Sequence, residues 1–313
     1  MNRRQFIGGL VATAALPAVA DDPSVFPRRG RWERLVLGYA YVEIGATKPF
    51  SVLHISDTHL TAAYPDESDV KQKLRMMRTE CFGGRQEEAL RDSLAWAKDN
   101  VDYVLHTGDL IDWQSRANLD LVKKYYGDMV LGAVGNHEYS PSLGLSSEKE
   151  TRDDRWREKN VSLLRTAYPF DLSFAAKVVN GVNFVMLDDV FGSVSSRQVE
   201  RFCAEVKKGL PIVLCAHVPF FTDRIWQATC KYWDRNGRKF ESAAIPAASG
   251  DLKRQREDPV TRDFIAYLKS ENLLKAILTG HLHITVQDRF SPTAMEYVVG
   301  GNFMFHGEEV LFV

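Results

Sequence analysis

The sequence predicts an α/β domain built on two β-sheets, and three observations carry that reading. First, short apolar, β-branched runs recur, and five stop at a polar stretch. These stretches are Ser56-Asp57-Thr58-His59, Gly108-Asp109, Gly135-Asn136-His137-Glu138, Ala216-His217 and Gly280-His281-Leu282-His283. Second, such runs alternate with helical periodicity from residue 50 to 134, an order that implies parallel crossovers. Third, Asn180-Gly181 parts two further runs, the signal of a type I′ hairpin and the start of a second sheet. Polar residues at several strand ends place a site at one sheet edge, where open α/β sheets bind their ligands.

Taken in order, residues 35–44 are apolar and aromatic and read as an opening strand or hairpin. Residues 50–56 form the first core strand. Residues 61–85 are a charge-rich insertion carrying Lys71, Lys73, Arg75 and Arg78. Residues 85–98 read as a helix, with Leu90, Leu94 and Ala97 spaced to face a sheet. Strand 101–106, a short helix at 118–127 and strand 129–134 follow. Residues 140–159 are polar, a surface loop or irregular helix. The hairpin pairs 172–179 with 182–187. A helix at 196–207 leads to strand 212–216. A second insertion, 219–257, holds Phe221, Trp226, Tyr232 and Trp233. Helix 261–269 and strand 273–278 come next, then short closing strands at 284–287, 295–299 and 303–305.

The chain has 313 residues and a formal net charge of -1, so neither a long basic nucleic-acid groove nor an acidic tail is indicated. Cys81, Cys203, Cys215 and Cys230 form no Cys-x-x-Cys pair, which argues against a cysteine zinc site. Cys81 and Cys230 both lie in insertions, where an exported protein could pair them. The first residues, Asn2-Arg3-Arg4-Gln5-Phe6-Ile7, are followed by a short apolar run and by Pro17-Ala18-Val19-Ala20. This resembles a bacterial twin-arginine signal peptide. Residues 1–20 are therefore expected to be a leader and 21–32 a linker or arm. Residues 33–313 then form the domain of a periplasmic or secreted protein without stable membrane insertion. Nothing in the sequence specifies an oligomeric state.

The chemistry of the five stretches points to metal. Asp57 and His59 are two apart, so an extended chain would turn both to one side, and His281 and His283 repeat the spacing. Asp109, Asn136 and His217 add oxygen and nitrogen donors. A mixed N/O set without thiolate suits manganese, iron or zinc. Six or seven ligands exceed one tetrahedral zinc site and suit two metals. No Gly-x-Ser-x-Gly elbow or His-Glu-x-x-His pattern offers a rival hydrolase.

The ordered set Asp57-x-His59, Gly108-Asp109, Gly135-Asn136-His137-Glu138, His217 and Gly280-His281-x-His283 resembles the calcineurin-like metallophosphoesterases over roughly residues 50–300. The fold then expected is a four-layer α/β/β/α sandwich, two mixed sheets flanked by helices. The resemblance implies Asp57, His59, Asp109 and His283 as ligands of a first metal. It implies Asp109, Asn136, His217 and His281 for a second, with Asp109 bridging. It further implies two transition metals, manganese or iron ahead of zinc, and a metal-bridging hydroxide as nucleophile. Catalytic roles fall to Asp109, to His137 on the phosphoryl oxygen or leaving group, and to Glu138 as the group orienting His137. Leu110-Ile111-Asp112-Trp113 lacks the tyrosine of the purple acid phosphatases.

A small phosphomonoester or phosphodiester is the expected substrate, and long nucleic acid is disfavoured. Both insertions follow motif residues and would rim the pocket. Their aromatics could stack on a nucleobase or sugar, or simply pack the insertion. Lys71, Lys73, Arg75 and Arg78 could hold a second phosphate or line a solvated helix face. Asn302 could reach the site late in the chain. His54, His106 and His306 match no ligand position, and His54 and His106, on strands just before motif residues, suit packing or hydrogen bonding behind the ligands. A catalytically inactive metal-binding or envelope-associated binding protein on the same fold is the alternative.

Overall fold

In the computed structural model the described residues are 34–127, 130–151, 153–235 and 258–313, all within the unit Trp32–Val313. The leader, the arm and the latter part of the second insertion, 236–257, lie outside them.

Among the described residues, eleven strands form two mixed sheets. Sheet one contains β1 (Val36–Val42), β2 (Phe50–Ile55), β3 (Tyr103–Thr107), β4 (Val130–Ala133) and β11 (His306–Phe312), in the order β1-β11-β2-β3-β4. β2, β3 and β4 are parallel, while β11 runs antiparallel to β2 and parallel to β1. Sheet two contains β5 (Phe174–Val179), β6 (Val182–Leu187), β7 (Ile212–Cys215), β8 (Leu274–Thr279), β9 (Val286–Arg289) and β10 (Met295–Val298). Its order is β5-β6-β7-β8-β10-β9, with β5 and β9 antiparallel at the two edges.

Strand alternation sorts the core into three layers. On β2, Phe50 and Val52 face sheet two, where they meet Phe184, Met186, Val213 and Leu278. Leu53 and Ile55 face the other way, toward Trp96, Leu119, Val122 and Trp156. These come from α2 (Gln86–Asn100), α3 (Arg116–Tyr125) and α4 (Asp154–Leu164). Outside sheet two, Val185, Leu187 and Ile277 pack on Phe202 and Phe264. Those belong to α5 (Ser196–Val206) and α7 (Pro259–Ser270). The architecture is therefore the four-layer α/β/β/α sandwich.

Local signals act as the sequence implies. Asn180 and Gly181 take positive φ of 47° and 81°, as a type I′ turn requires. Ser115 caps α3 by accepting from Asn118, and Ser195 and Gln198 close a capping box on α5. Both insertions contain helices, α1 (Asp69–Cys81) and α6 (Asp223–Arg235). The polar stretch 140–159 is turns that lead into α4. The closing strand expected at 303–305 is instead a 3-10 turn, Asn302–Met304, ending in left-handed Phe305. Strand β11 begins just beyond it and occupies the interior of sheet one. Cys81 is an exposed thiol. Among the described residues, no helix is long and apolar enough to cross a membrane.

Candidate metal centre

The loops that follow β2 and β3 keep hydrogen bonding side by side beyond the sheet. Asp57 donates its N–H to Gly108 O at 2.9 Å, His59 to Asp109 O at 2.9 Å and Leu60 to Leu110 O at 2.8 Å. The backbone is not extended there. Asp57, His59 and Asp109 have φ of 54°, 53° and 55°, and His281 and His283 have 66° and 58°. Left-handed residues at alternating positions coil the loops after β2 and β8 over their strand ends, and adjacent left-handed Gly108 and Asp109 turn the loop after β3. Side chains two apart thus converge by coiling, not by the strand geometry their spacing suggests. Each such residue costs about 1–2 kcal/mol, and strain of this kind gathers at functional sites. Of the glycines, Gly108 is itself left-handed at φ 98°. Gly135 and Gly280 serve close approach, since a Cβ would fall 2.1 Å from Asp109 Oδ1 and 1.9 Å from Ser56 Oγ.

Each carboxylate has one oxygen tied by backbone and one turned inward. Asp57 Oδ2 accepts from His281 N at 2.8 Å, while Oδ1 lies 3.2 Å from His283 Nε2 and 3.7 Å from His59 Nε2. Asp109 Oδ1 accepts from His137 N at 2.9 Å, while Oδ2 lies 3.2 Å from His217 Nε2 and 3.7 Å from His59 Nε2. The histidines follow the same logic. His59 Nδ1 donates to Asp112 Oδ1 at 2.8 Å and His217 Nδ1 to Thr107 O at 2.7 Å. Both partners are pure acceptors, so the Nε2 lone pairs face inward.

Two inward nitrogen pairs then come close, His59 Nε2 with His283 Nε2 at 3.1 Å and His217 Nε2 with His281 Nδ1 at 3.2 Å. Lone pairs at that separation repel unless a proton or metal cation lies among them. Asp57 Oδ1 and Asn136 Oδ1 are buried without a hydrogen-bond partner, an arrangement costly to leave uncompensated. Ligand atoms gather into Asp57–His59–His283, His59–Asp109–His137 and Asp109–His217–His281. The residues fit a pair of cations held by nitrogen and oxygen.

The protein's own charges make this a cation trap. Burial opposes charge on His59, but Asp112, Asp57 and Asp109 hold its pKa up at about 10. For His217, burial is likewise overcome, by Asp109 and Asp57, again to about 10. Burial raises Asp57, yet the charge of His283 brings it well below the carboxylate range. Burial and the charge of His217 instead press His281 down to about 3.

His137 stands beside the cluster with its ring edge-on to His59, centroids 4.7 Å apart. Its Nδ1 lies 2.9 Å from both Asp112 Oδ1 and Asp112 O, which leaves Nε2 as the outward nitrogen. The residue orienting His137 is therefore Asp112, not Glu138. Glu138 is buried and accepts four backbone N–H groups, from Asp109, Leu110, Ile111 and Gly135, plus the Tyr168 hydroxyl. It shapes the Asp109 loop instead. Asp112 is the functional residue the sequence reading missed. Nothing local in the sequence marks it, since it is one more carboxylate three positions after Asp109.

Other expected positions sort plainly. Lys71 donates to Gln114 O and Pro141 O, and Arg78 pairs with Asp112, while Lys73 and Arg75 are exposed. Phe221 and Trp226 pack on Ile225, Leu282 and Val298, so they stabilise the second insertion. His54 Nε2 meets Thr107 Oγ1 at 2.9 Å, and His106 Nε2 meets Thr58 Oγ1 at 2.9 Å. Asn302 completes that support, accepting from Thr58 Oγ1 at 3.0 Å and donating its N–H to Ser56 O at 2.8 Å.

The fold and this geometry define a metal-dependent phosphoesterase class, and sequence comparison agrees. The family model for calcineurin-like phosphoesterase matches residues 50–285, and the chain belongs to that family. No curated protein matches it significantly in sequence. Similar solved structures include a dimetal phosphatase from Danio rerio, 16% identical, covering 82% of this chain and 88% of that one at a TM-score of 0.44. A phosphopantetheinyl hydrolase from Mycobacterium tuberculosis is 14% identical, covering 86% and 93% at 0.38. A 5'-nucleotidase from Candida albicans is 12% identical, covering 86% of this chain and 47% of that one at 0.37.

Proposed function

We propose that this protein hydrolyses a small phosphomonoester or phosphodiester at a binuclear metal centre. The observation that carries the proposal is the convergence of Asp57, His59, Asp109, His217, His281 and His283 from four loops, with Asp57 Oδ1 and Asn136 Oδ1 buried and unpartnered. Asp57, His59, Asp109 and His283 would hold one cation, and Asp109, Asn136, His217 and His281 the other. Bound there, two cations would neutralise phosphoryl oxygens and supply a nucleophilic water near neutral pH. Manganese or iron suits this donor set, and zinc is compatible with it.

The chain's own residues supply positioning and proton transfer. Asp112 holds His137 Nδ1–H and so keeps Nε2 turned to the open side of the cluster. Nε2 then carries a proton to the leaving alkoxide, a step worth about 10²–10⁴-fold. Glu138 holds the backbone that aims the Asp109 carboxylate. With the paired-arginine N-terminus, the proposal extends to export, hence to phosphoesters outside the cytoplasm.

The test pairs metal analysis of purified protein with assays on p-nitrophenyl phosphate and bis-p-nitrophenyl phosphate, using Asp109→Asn as control. Near two metals per chain and turnover lost in the control are expected. Two metals without turnover on either ester would favour the inactive binding protein. Little metal after reconstitution would overturn the mechanism. Cell fractionation of the full chain checks export, and a wholly cytoplasmic, uncleaved product would refute it.

A further inference from the structure

The first insertion does not merely rim the site: two of its residues grip the candidate ligand His59 from behind. Arg78, in the last turn of α1, donates Nε to Asp112 Oδ2 at 2.6 Å and Nη2 to Asp112 Oδ1 at 2.9 Å. This is a two-bond fork, the geometry that distinguishes arginine from lysine. The same Asp112 Oδ1 takes His59 Nδ1 at 2.8 Å. Four residues on, Phe82 lies flat on the His59 ring, with centroids 4.5 Å apart and planes 14° apart. Arg78 closes the loop by covering the other ring, its Cζ 4.8 Å from the Phe82 centroid. Phe303 then leans on Phe82 and on His283, at 4.8 and 5.1 Å.

The local chain is built to hold this arrangement. Leu74 buries the middle of α1, and Thr79 Oγ1 meets Thr61 Oγ1 at 2.7 Å. Left-handed Gly83 and Gly84 end the helix and return their N–H groups to Glu80 O and Thr79 O. That reversal turns Phe82 inward. Arg78 commits Nε and Nη2 to a buried carboxylate and lays its guanidinium over a ring, so these two donors are not free for a substrate phosphate. His59 has its Nδ1 pinned through Asp112 and its ring plane pinned by Phe82.

We propose that Arg78 and Phe82 are positioning residues, through which the insertion 61–85 sets the orientation of His59 and so the affinity of the first metal position. This rests on the metal-centre reading above. A ligand whose ring can swing offers its lone pair in many directions, and loss of such outer support costs about 10–100-fold in metal affinity or activity.

The experiment measures manganese affinity by chelator competition, together with kcat and KM on the better p-nitrophenyl ester. It compares wild type, Arg78→Gln, Arg78→Lys, Phe82→Leu and the exposed neighbour Arg75→Gln. Thermal melts report whether each variant is folded. Arg78→Gln and Phe82→Leu are expected to weaken one manganese site about 10–100-fold. kcat should fall while KM stays within about twofold. Arg78→Lys keeps the charge without the fork and should recover only part of this, and Arg75→Gln should match wild type. A rise in KM at unchanged kcat and metal affinity would overturn the proposal and make Arg78 a substrate contact. Unchanged affinity and kcat in both folded variants would overturn it outright. Wild type lacking both metal and turnover would fail the parent reading instead, so the two failures are distinguishable.

Discussion

His137 and Glu138 are adjacent in sequence and serve opposite ends of the problem. His137 keeps one nitrogen on Asp112 and offers the other to the cluster's open side, its side chain 19% exposed. Glu138 is wholly buried and spends both oxygens on backbone donors. His137→Gln should therefore lower kcat by about 10²–10⁴-fold with metal content and melting temperature unchanged. Glu138→Gln turns an amide N–H₂ toward donors that need an acceptor. It should cost about 1–3 kcal/mol of stability, seen as a lower melting temperature. Equal effects of the two substitutions on stability would contradict this division of labour. The ligand candidates were legible because their chemistry and spacing are local. Asp112 was not, because one more aspartate in a loop says nothing until three other loops arrive around it. The left-handed turns at Asp57, His59 and Asp109 were equally hidden, since neither aspartate nor histidine announces a positive φ as glycine does.

Among the elements, β11 departs furthest from local reading. Its residues, His306-Gly307-Glu308-Glu309-Val310-Leu311-Phe312, open with polar residues and carry two adjacent glutamates, against strand propensity. Tertiary context overrides this, because β2 is more than two hundred residues away in sequence and pairs with it along its length. The parallel runs β2, β3 and β4, and the β5–β6 hairpin, were legible because partner and turn are close in sequence. Glu308 bears a cost for its place. It shares the parity of Val310 and Phe312, which face the inter-sheet core, and its Oε2 is buried without a partner. Burial lifts its pKa from 4.5 to about 8. Below 4.5 both folded and unfolded chains hold the proton, so there is no penalty. Between 4.5 and about 8 the unfolded chain releases it while the folded chain retains it, and stability falls as pH rises. Glu308→Gln should therefore be neutral near pH 4 and stabilising by about 2–4 kcal/mol at pH 8.5. Denaturant melts of both proteins across that range check it. A difference independent of pH would mean that Glu308 is ionised in the fold.

At the scale of the whole molecule, the candidate centre lies at the strand ends of the two packed sheets. Asp57, His59, Asp109 and Asn136 follow strands of sheet one, whereas His217, His281 and His283 follow strands of sheet two. Hydrogen bonds already cross this line, His281 N to Asp57 Oδ2 and His217 Nδ1 to Thr107 O. Cations bound by both halves would tie the sheets together at this end, as the inter-sheet aromatics Phe50, Phe184 and Phe312 do in the core. The five left-handed ligand candidates pull the other way, at about 1–2 kcal/mol each, and mutual repulsion of the inward donors adds to it. Metal should thus contribute to stability as well as chemistry. With free metal at a hundredfold over its dissociation constant, linkage gives about 2.7 kcal/mol for one site. In a domain of this size that is a melting temperature roughly 5 °C higher. Removing metal with a chelator should reverse the gain, and restoring manganese should recover it. Asp109→Asn, which would weaken the ligand proposed to be shared by both positions, should melt at the same temperature with and without metal. A wild-type protein stripped of metal yet melting unchanged would show that the loops hold their strained form through the protein's own hydrogen bonds. The metals would then be guests of a rigid site, not part of what holds the two sheets together.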